Sequence, residues 1–252
     1  MNLALILDTT IQGVSMGLID LSSPSKGYLW KEAHLKKFGS AQSISRLFKK
    51  AMDSIQSKPE AISRIVISNG PGSFTGIKIG LSWASGFAQG LKGGCYFQAL
   101  SSLESAAHEQ FLNASKKKTH PEGFRLVFLA GSTKTHGFVT VIDQYSASTQ
   151  LFEIKSEDFK NLLHYKEKCT YLVLANVWPE FELFKQQNIN ELNIEYISLT
   201  DEETSQLVLD GMARKAFEAL NDDLEKNVLA PNFMRESTAE ERLKRKVGIN
   251  GI

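Results

Sequence analysis

Three observations predict an α/β fold built from two related halves in this 252-residue chain. β-Branched and apolar runs of strand length recur in both halves, the stretches between them carry helical spacing, and a polar connection near the middle is followed by a second pass through much the same order of elements.

Leu3 to Leu7 is a continuous apolar run ending at Asp8-Thr9-Thr10, and Val14 to Asp20 resumes extended character after Gln12-Gly13, which reads as a β-hairpin. Tyr28 to Leu35 adds a third strand. A helix beginning at Ser40 or Ser43 sets Ile44, Leu47, Phe48, Ala51, Met52 and Ile55 on one side and Lys49, Lys50 and Asp53 on the other, and stops before Lys58-Pro59. Ile62–Ile67 is a strand, Ser68 to Gly94 a glycine loop with a helix from Thr75, Cys95–Leu100 a strand, and Ser101 to about Leu112 a helix. Asn113 to Gly123, with Lys116, Lys117, Lys118 and Pro121, reads as an exposed connection, giving a first lobe over 1–112, a second over 113–235 and a charged tail over 236–252. The second lobe offers strands at Phe124–Ala130, Gly137–Asp143 and Gln150–Ile154, a helix at Ser156–Leu163 and a strand at Thr170–Leu174. Pro179–Gln187 and Ile194–Ile197 then precede a longer helix from about Asp201 to Ala219, with packing back onto the first lobe allowed for. Two βββαβαβ-type halves with mixed sheets match the actin-like ATPase (ribonuclease H-like) architecture.

Basic and acidic residues number 29 and 28, which removes the electrostatic footprint of a protein that grips nucleic acid unaided. Cys95 and Cys169 lie far apart without C-x-x-C pairing, so neither a disulfide framework nor a zinc site is indicated, and both read as core residues. The amino terminus reaches Asp8 too soon for a signal peptide and no apolar run is long enough for a bilayer, so a reducing cytoplasm without membrane association is expected.

The organising stretch is SNGPGSFTGIKIGLSWASGFAQGLKGG, Ser68 to Gly94. Gly70, Pro71, Gly72 and Ser73 interrupt the strand, and Ser73 or Thr75 can cap the helix that follows. Amide donors at a helix N-terminus suit an anion, yet the spacing is G-x-G-x-x-x-G and no Gly-Lys-Ser/Thr closes a P-loop. Asp8, Thr9, Thr10, Gly70, Gly72 and Ser73 are therefore the candidate nucleotide-contacting residues, against the plain alternative of a tight turn feeding a helix. Within that helix Gly76, Gly80, Ala84 and Ala88 recur every four residues beside Gly86 and Gly90. Each interior glycine costs about 0.5–1 kcal/mol relative to alanine, so close backbone approach is the expected compensation, inside the domain or against another subunit.

Asn69-Gly-Pro-Gly-Ser-Phe-Thr-Gly-Ile-Lys-Ile-Gly-Leu, running on to Ser101-Ser-Leu-Glu, resembles the signature of the bacterial TsaB (YeaZ) family, and Leu7-Asp-Thr-Thr10 and Pro231-Asn-Phe-Met-Arg235 add further matches. The resemblance implies a non-catalytic scaffold in the synthesis of N6-threonylcarbamoyladenosine on tRNA. It implies as partners the catalytic TsaD and the ATPase TsaE, a homodimer when alone, and tRNA contact only through the complex. It also implies a helical-bundle interface matching here Ser40–Ser57 and Thr75–Leu91, with Gly76, Ile77, Gly80, Trp83, Ala84, Phe87, Ala88, Ile44, Leu47, Phe48 and Ala51 at the contact. The family pattern further implies an Asp-Ala-Arg-like motif where this chain has Ala130-Gly-Ser-Thr, and a Gly-Asp-Gly-like motif where it has Ala175-Asn176-Val177.

No cofactor is expected to be required, and weak ATP or ADP binding is allowed for. His34, His108, His120, His136 and His164 never approach the H-x-x-x-H spacing that marks the metal-binding catalytic relative, and Ser73 lies in no nucleophile elbow. No catalytic or metal-ligating residue is assigned. The rival reading is an actin-like-fold ATP-dependent phosphoryl or carbamoyl transferase, in which Asp8, Thr9 and the Gly70–Gly76 loop converge on a metal-bound phosphate; a metallopeptidase is a third.

Overall fold

The computed structural model describes residues 2–11, 13–35, 40–116, 125–131, 136–143, 149–155, 170–175 and 194–221. The first lobe runs β1 (Leu3–Asp8), β2 (Val14–Asp20), β3 (Tyr28–His34), α1 (Ser40–Ser54), β4 (Ile62–Gly70), α2 (Phe74–Gly90), β5 (Tyr96–Ser101) and α3 (Ser102–Lys116). The second contributes β6 (Arg125–Gly131), β7 (His136–Asp143), β8 (Thr149–Lys155), β9 (Thr170–Ala175), β10 (Ile194–Leu199) and α4 (Asp201–Glu218). The expected helices at Ser156–Leu163 and Pro179–Gln187 and the tail beyond Arg235 fall outside the described residues.

Each half forms a five-stranded mixed sheet of one order, β3-β2-β1-β4-β5 and β8-β7-β6-β9-β10. In both, the first three strands are antiparallel neighbours and the last two lie parallel to the first. The doubled order is the actin-like ATPase fold. β1 reads as an unbroken apolar run because both of its faces are covered. Leu3, Leu5 and Leu7 point into an outer core with Ile44, Leu47 and Ala51 of α1 and Ile77, Leu81 and Ala84 of α2. Ala4 and Ile6 point into an inner core with Leu103, Ala106 and Ala107 of α3, Val208, Leu209 and Met212 of α4, and Leu126, Phe128 and Phe138 of the second sheet. One helical layer is thus shared by both sheets.

α4 follows the second sheet in sequence yet is anchored on the first lobe. The buried Arg64 of β4 donates Nη1–H to the Ala216 carbonyl at 3.0 Å, Gln98 Nε2 of β5 donates to the Lys215 carbonyl at 3.1 Å, and Arg214 grips Glu109 of α3 through two bonds of 2.7 and 2.9 Å. Gly211 brings the α4 backbone against α3, where an added Cβ would overlap the Ser105 carbonyl oxygen. Two boundaries differ from expectation. β4 continues to Gly70 because Ser68 and Gly70 still pair with Leu100 and Ser101 across a register shift, and α3 runs through the expected boundary at Leu112 as far as Lys116. Among the described residues no helix is long and apolar enough to cross a membrane.

α4 starts with a capping box, Thr200 Oγ1 accepting from Glu203 N at 3.1 Å while the Glu203 carboxylate accepts from Thr200 N at 2.7 Å. That backbone bond, with the Thr200 hydroxyl, holds the Glu203 carboxyl below its ordinary value of 4.5. A lowered folded-state value means stability that is complete above pH 4.5 and disappears as the pH falls through the lower folded value. Thr200→Ala is expected to lower the urea midpoint at neutral pH, with the gap to the parent protein narrowing in acid; midpoints measured across that range check it.

Candidate functional site

The candidate residues meet where β1 leaves its sheet. Asp8, Thr9 and Thr10 are all buried, and the Asp8 carboxylate turns back on its own strand exit: Oδ1 accepts from Thr10 N at 3.1 Å and from Thr10 Oγ1 at 2.6 Å. Thr10 Oγ1 also lies 2.8 Å from Ser102 Oγ, the first residue of α3, and Thr9 Oγ1 donates to the Gly76 carbonyl at 2.8 Å. The glycine loop answers from the other side. Ser73 N donates to the Thr10 carbonyl at 2.7 Å, and Ser73 caps α2, its hydroxyl accepting from Gly76 N at 3.1 Å.

Convergence of Asp8, Thr9 and the Gly70–Gly76 loop, the requirement of the phosphoryl-transfer reading, is therefore present. What they converge on is one another. Gly72, at φ +155°, has no room for a Cβ because the Thr10 carbonyl stands against it. Two amides that would face an anion at this helix end, Ser73 N and Gly76 N, are engaged within the chain. Asp8 Oδ2 is buried and has no hydrogen-bond partner among the described residues.

The small-residue stripe acquires its cause from the same contact. A Cβ on Gly76 would overlap the Thr9 carbonyl oxygen and one on Gly80 the Thr9 hydroxyl, while Ala84 is fully buried in the outer core. Within the chain, then, these glycines meet Thr9. Gly76, Ile77, Gly80 and Ala84 of α2 and Ile44, Leu47 and Ala51 of α1, all expected at a partner contact, are buried inside the chain itself, because α1 and α2 cover the outer face of the first sheet. Phe48, Trp83, Phe87 and Ala88 are only half-buried. The three rings form one cluster, Trp83 stacked on Phe87 at 5.1 Å and Phe48 edge-on to both at 5.5 and 4.8 Å. Gly86 and Gly90, on the same side of α2, have nothing among the described residues within 4 Å of an added Cβ. α2 is thus covered on one face and open on the other.

Ser102 and Ser68, whose hydroxyl lies 3.4 Å from Thr9 N, were not singled out from the sequence. Their signal was a hydroxyl at a strand end or helix start, too common to select. His108 is half-buried, and burial first, then the Lys215 charge, holds its imidazole below the ordinary value, leaving it neutral at pH 7. Cys95 is buried, and burial pushes its thiol up. Among the described residues no three His, Cys, Asp or Glu side chains are grouped to hold a metal ion. Ser132, Thr133, Asn176 and Val177, which stand where the family motifs diverge, lie outside the described residues, as do His120, His164 and Cys169.

A family model described as TsaD, tRNA N6-adenosine threonylcarbamoyltransferase, matches residues 38–160. Among solved structures, the chain is similar to an uncharacterised Pseudomonas aeruginosa protein with similarity to the peptidase YeaZ, at TM-score 0.61 and 15% identity, covering 93% of this chain and 100% of that one. YeaZ from Pseudomonas aeruginosa follows at TM-score 0.54 and 16% identity, covering 86% of this chain and 94% of that one. At these identities the solved structures show the fold, and the family model takes in just under half of the chain. No curated protein matches the chain. The family match takes in α1, the glycine loop, α2 and α3, while Thr9 and Thr10, which the loop meets, lie before it.

The packing separates the glycines by sign. Gly80→Ala is expected to destabilise the isolated chain by about 1–3 kcal/mol through overpacking against Thr9. Gly86→Ala, open to solvent, is expected to stabilise it by about 0.5–1 kcal/mol through helix propensity. Urea unfolding of the two variants side by side measures both.

Proposed function

We propose that the chain is a TsaB-type scaffold subunit for synthesis of N6-threonylcarbamoyladenosine on tRNA, with no catalytic activity of its own. It docks a TsaD-like catalytic subunit, works with a TsaE-like ATPase, meets tRNA only within the complex, and pairs with a second copy when alone, in the cytoplasm. The observation that carries this reading is the closure of the glycine loop onto Thr9 and Thr10, which engages the loop's own donors and acceptors within the fold while leaving an aromatic edge of α1 and α2 half-covered. The near balance of charge supports shared rather than independent tRNA contact.

The docking surface in this reading is narrower than the helical faces as a whole. It consists of Phe48, Trp83, Phe87 and Ala88, with Gly86 and Gly90 admitting a close backbone. Aromatic side chains at such an edge carry a disproportionate share of binding energy. The decisive experiment is co-purification with the TsaD-like protein of the same cell. Phe87→Ala and Trp83→Ala are each expected to weaken that association by about tenfold or more while the melting temperature of the isolated chain moves little. Full retention of binding by both variants removes the aromatic edge from the interface.

The phosphoryl- or carbamoyl-transfer reading makes the opposite forecast for the purified chain. The scaffold reading expects neither appreciable ATP turnover nor submicromolar, salt-sensitive tRNA binding without the partner. Robust ATP hydrolysis abolished by Asp8→Asn would reverse the assignment.

A further inference from the structure

The near balance of charge over the whole chain conceals a strong sorting of it. Residues 33–103 hold nine of the 29 Lys and Arg residues but only two of the 28 acids, Asp53 and Glu60, so the rest of the chain is net acidic. That stretch contains α1, β4, α2 and β5. Arg46, Lys49, Lys50, Lys58, Lys78 and Lys92 are exposed, whereas Arg64 is buried against the end of α4. On the inner face of the first sheet, α4 carries five acids against Arg214 and Lys215. Cations thus collect on the outer layer, and anions predominate on the last helix of the inner one.

The outer cations divide by what they touch. On α1, Arg46 Nη2 donates to His34 Nδ1 at 2.7 Å and Lys50 Nζ donates to both oxygens of Glu32 at 2.8 and 2.7 Å, so these two are engaged by the edge strand β3. Lys78 Nζ lies over the Phe74 ring at 4.1 Å from its centroid. Lys49 and Lys92 have no hydrogen bond or ion pair among the described residues. Both border the aromatic edge. At about 100° per residue, Lys49 falls on the exposed arc of α1 between Phe48, which meets Trp83 and Phe87, and the side turned to β3. Lys92 follows Gly90 by two residues, where α2 has ended. Asp53 is the sole acid on the two helices.

Exposed cations beside an apolar contact steer a partner of opposite charge and disfavour one of like charge. RNA phosphates also answer positive charge, but these rings do not stand apart as stacking platforms for bases. Trp83 lies on Phe87, Phe48 packs edge-on to both, and two of the exposed cations are already bonded within the chain. A second copy related by a twofold axis brings the same cations to the same contact, so self-pairing through this face works against its own charge. We propose that the aromatic edge takes a different protein whose facing surface is acidic, with carboxylates set opposite Lys49 and Lys92. The part given to these lysines rests on the docking role proposed above for the edge, and adds to it the charge of the partner.

Binding kinetics of the full chain with the TsaD-like protein of the same cell provide the test. The association rate constant should fall by about tenfold between about 50 and about 300 mM salt, with dissociation little changed. Lys49→Glu combined with Lys92→Glu should slow association by about tenfold at the lower salt and flatten the salt dependence, while unfolding midpoints stay at the parent value. Lys116→Glu, the same charge change on α3 across the sheet, should alter the rate by less than about twofold. Phe87→Ala separates the two readings. If it weakens the complex while salt and the double reversal leave association unchanged, the acidic partner is overturned and the docking role stands; if it leaves the complex intact, the docking role falls and takes the acidic partner with it. Self-association that tightens in the double reversal while partner binding is unaffected gives the face to a second copy. Tight tRNA binding by the isolated chain, lost in the double reversal, gives it to nucleic acid. Either result overturns the proposal.

Discussion

The structure depends on the contact between the exit of β1 and the first turns of α2. Thr9 and Thr10 press their carbonyls and one hydroxyl against a backbone that has no side chain at Gly72, Gly76 and Gly80. A methyl group at any of these positions would occupy space already filled by backbone or by the Thr9 hydroxyl, and buried backbone cannot give way as the end of a flexible side chain can. From this contact follow the seating of α2 on the outer face of the first sheet, the orientation of Ile77, Leu81 and Ala84 into the outer core, and the position of the aromatic edge beside α1. The helix-propensity cost of the glycines is offset by packing in the first half of α2. In the second half, at Gly86 and Gly90, no contact among the described residues offsets it.

A second close approach joins the lobes. Gly211 lets α4 lie against α3 at Ser105, and the pair fills the space between the two sheets as one core. The charged groups of this layer work at its ends. Arg64 satisfies carbonyls at the C-terminal end of α4, where helices leave acceptors without partners, and the Arg214–Glu109 fork ties α4 to α3 near their surface. The first lobe thus draws part of its core from the last helix of the described chain, and the division of the sequence into a first and a second lobe is not a division of the core.

The polar groups at the mouth of the first sheet show how one set of residues can suit two chemistries. An acid and two threonines at a strand end facing a glycine loop have the composition of a phosphate site. In this chain the threonine hydroxyls and loop amides close on each other and the acid is left half-satisfied underneath. Composition placed these residues near a common point. The direction of each hydrogen bond decided what that point is.

Much of the fold was legible in the sequence because its signals are local. The alternating and continuous apolar runs of β1, β2, β4, β6, β7 and β9, the amphipathic spacing of α1 and the Ser73 cap of α2 each depend on neighbours within a few residues, and the repeated order of elements announced the doubled sheet. Strand ends were less legible, since β4 reaches Gly70 only because β5 supplies partners there. The glycine loop and the Asp8–Thr10 exit could be named as a site from residue type, but their relation could not, because Thr9 and Gly76 are 67 positions apart and nothing local specifies that one fills the space the other leaves. The same limit applied to the stripe of small residues. Sequence spacing established that something comes close to Gly76, Gly80 and Ala84; only the tertiary structure decided that it is the chain's own Thr9 and outer core, and that the aromatic rings of α1 and α2 are left half-buried beside them.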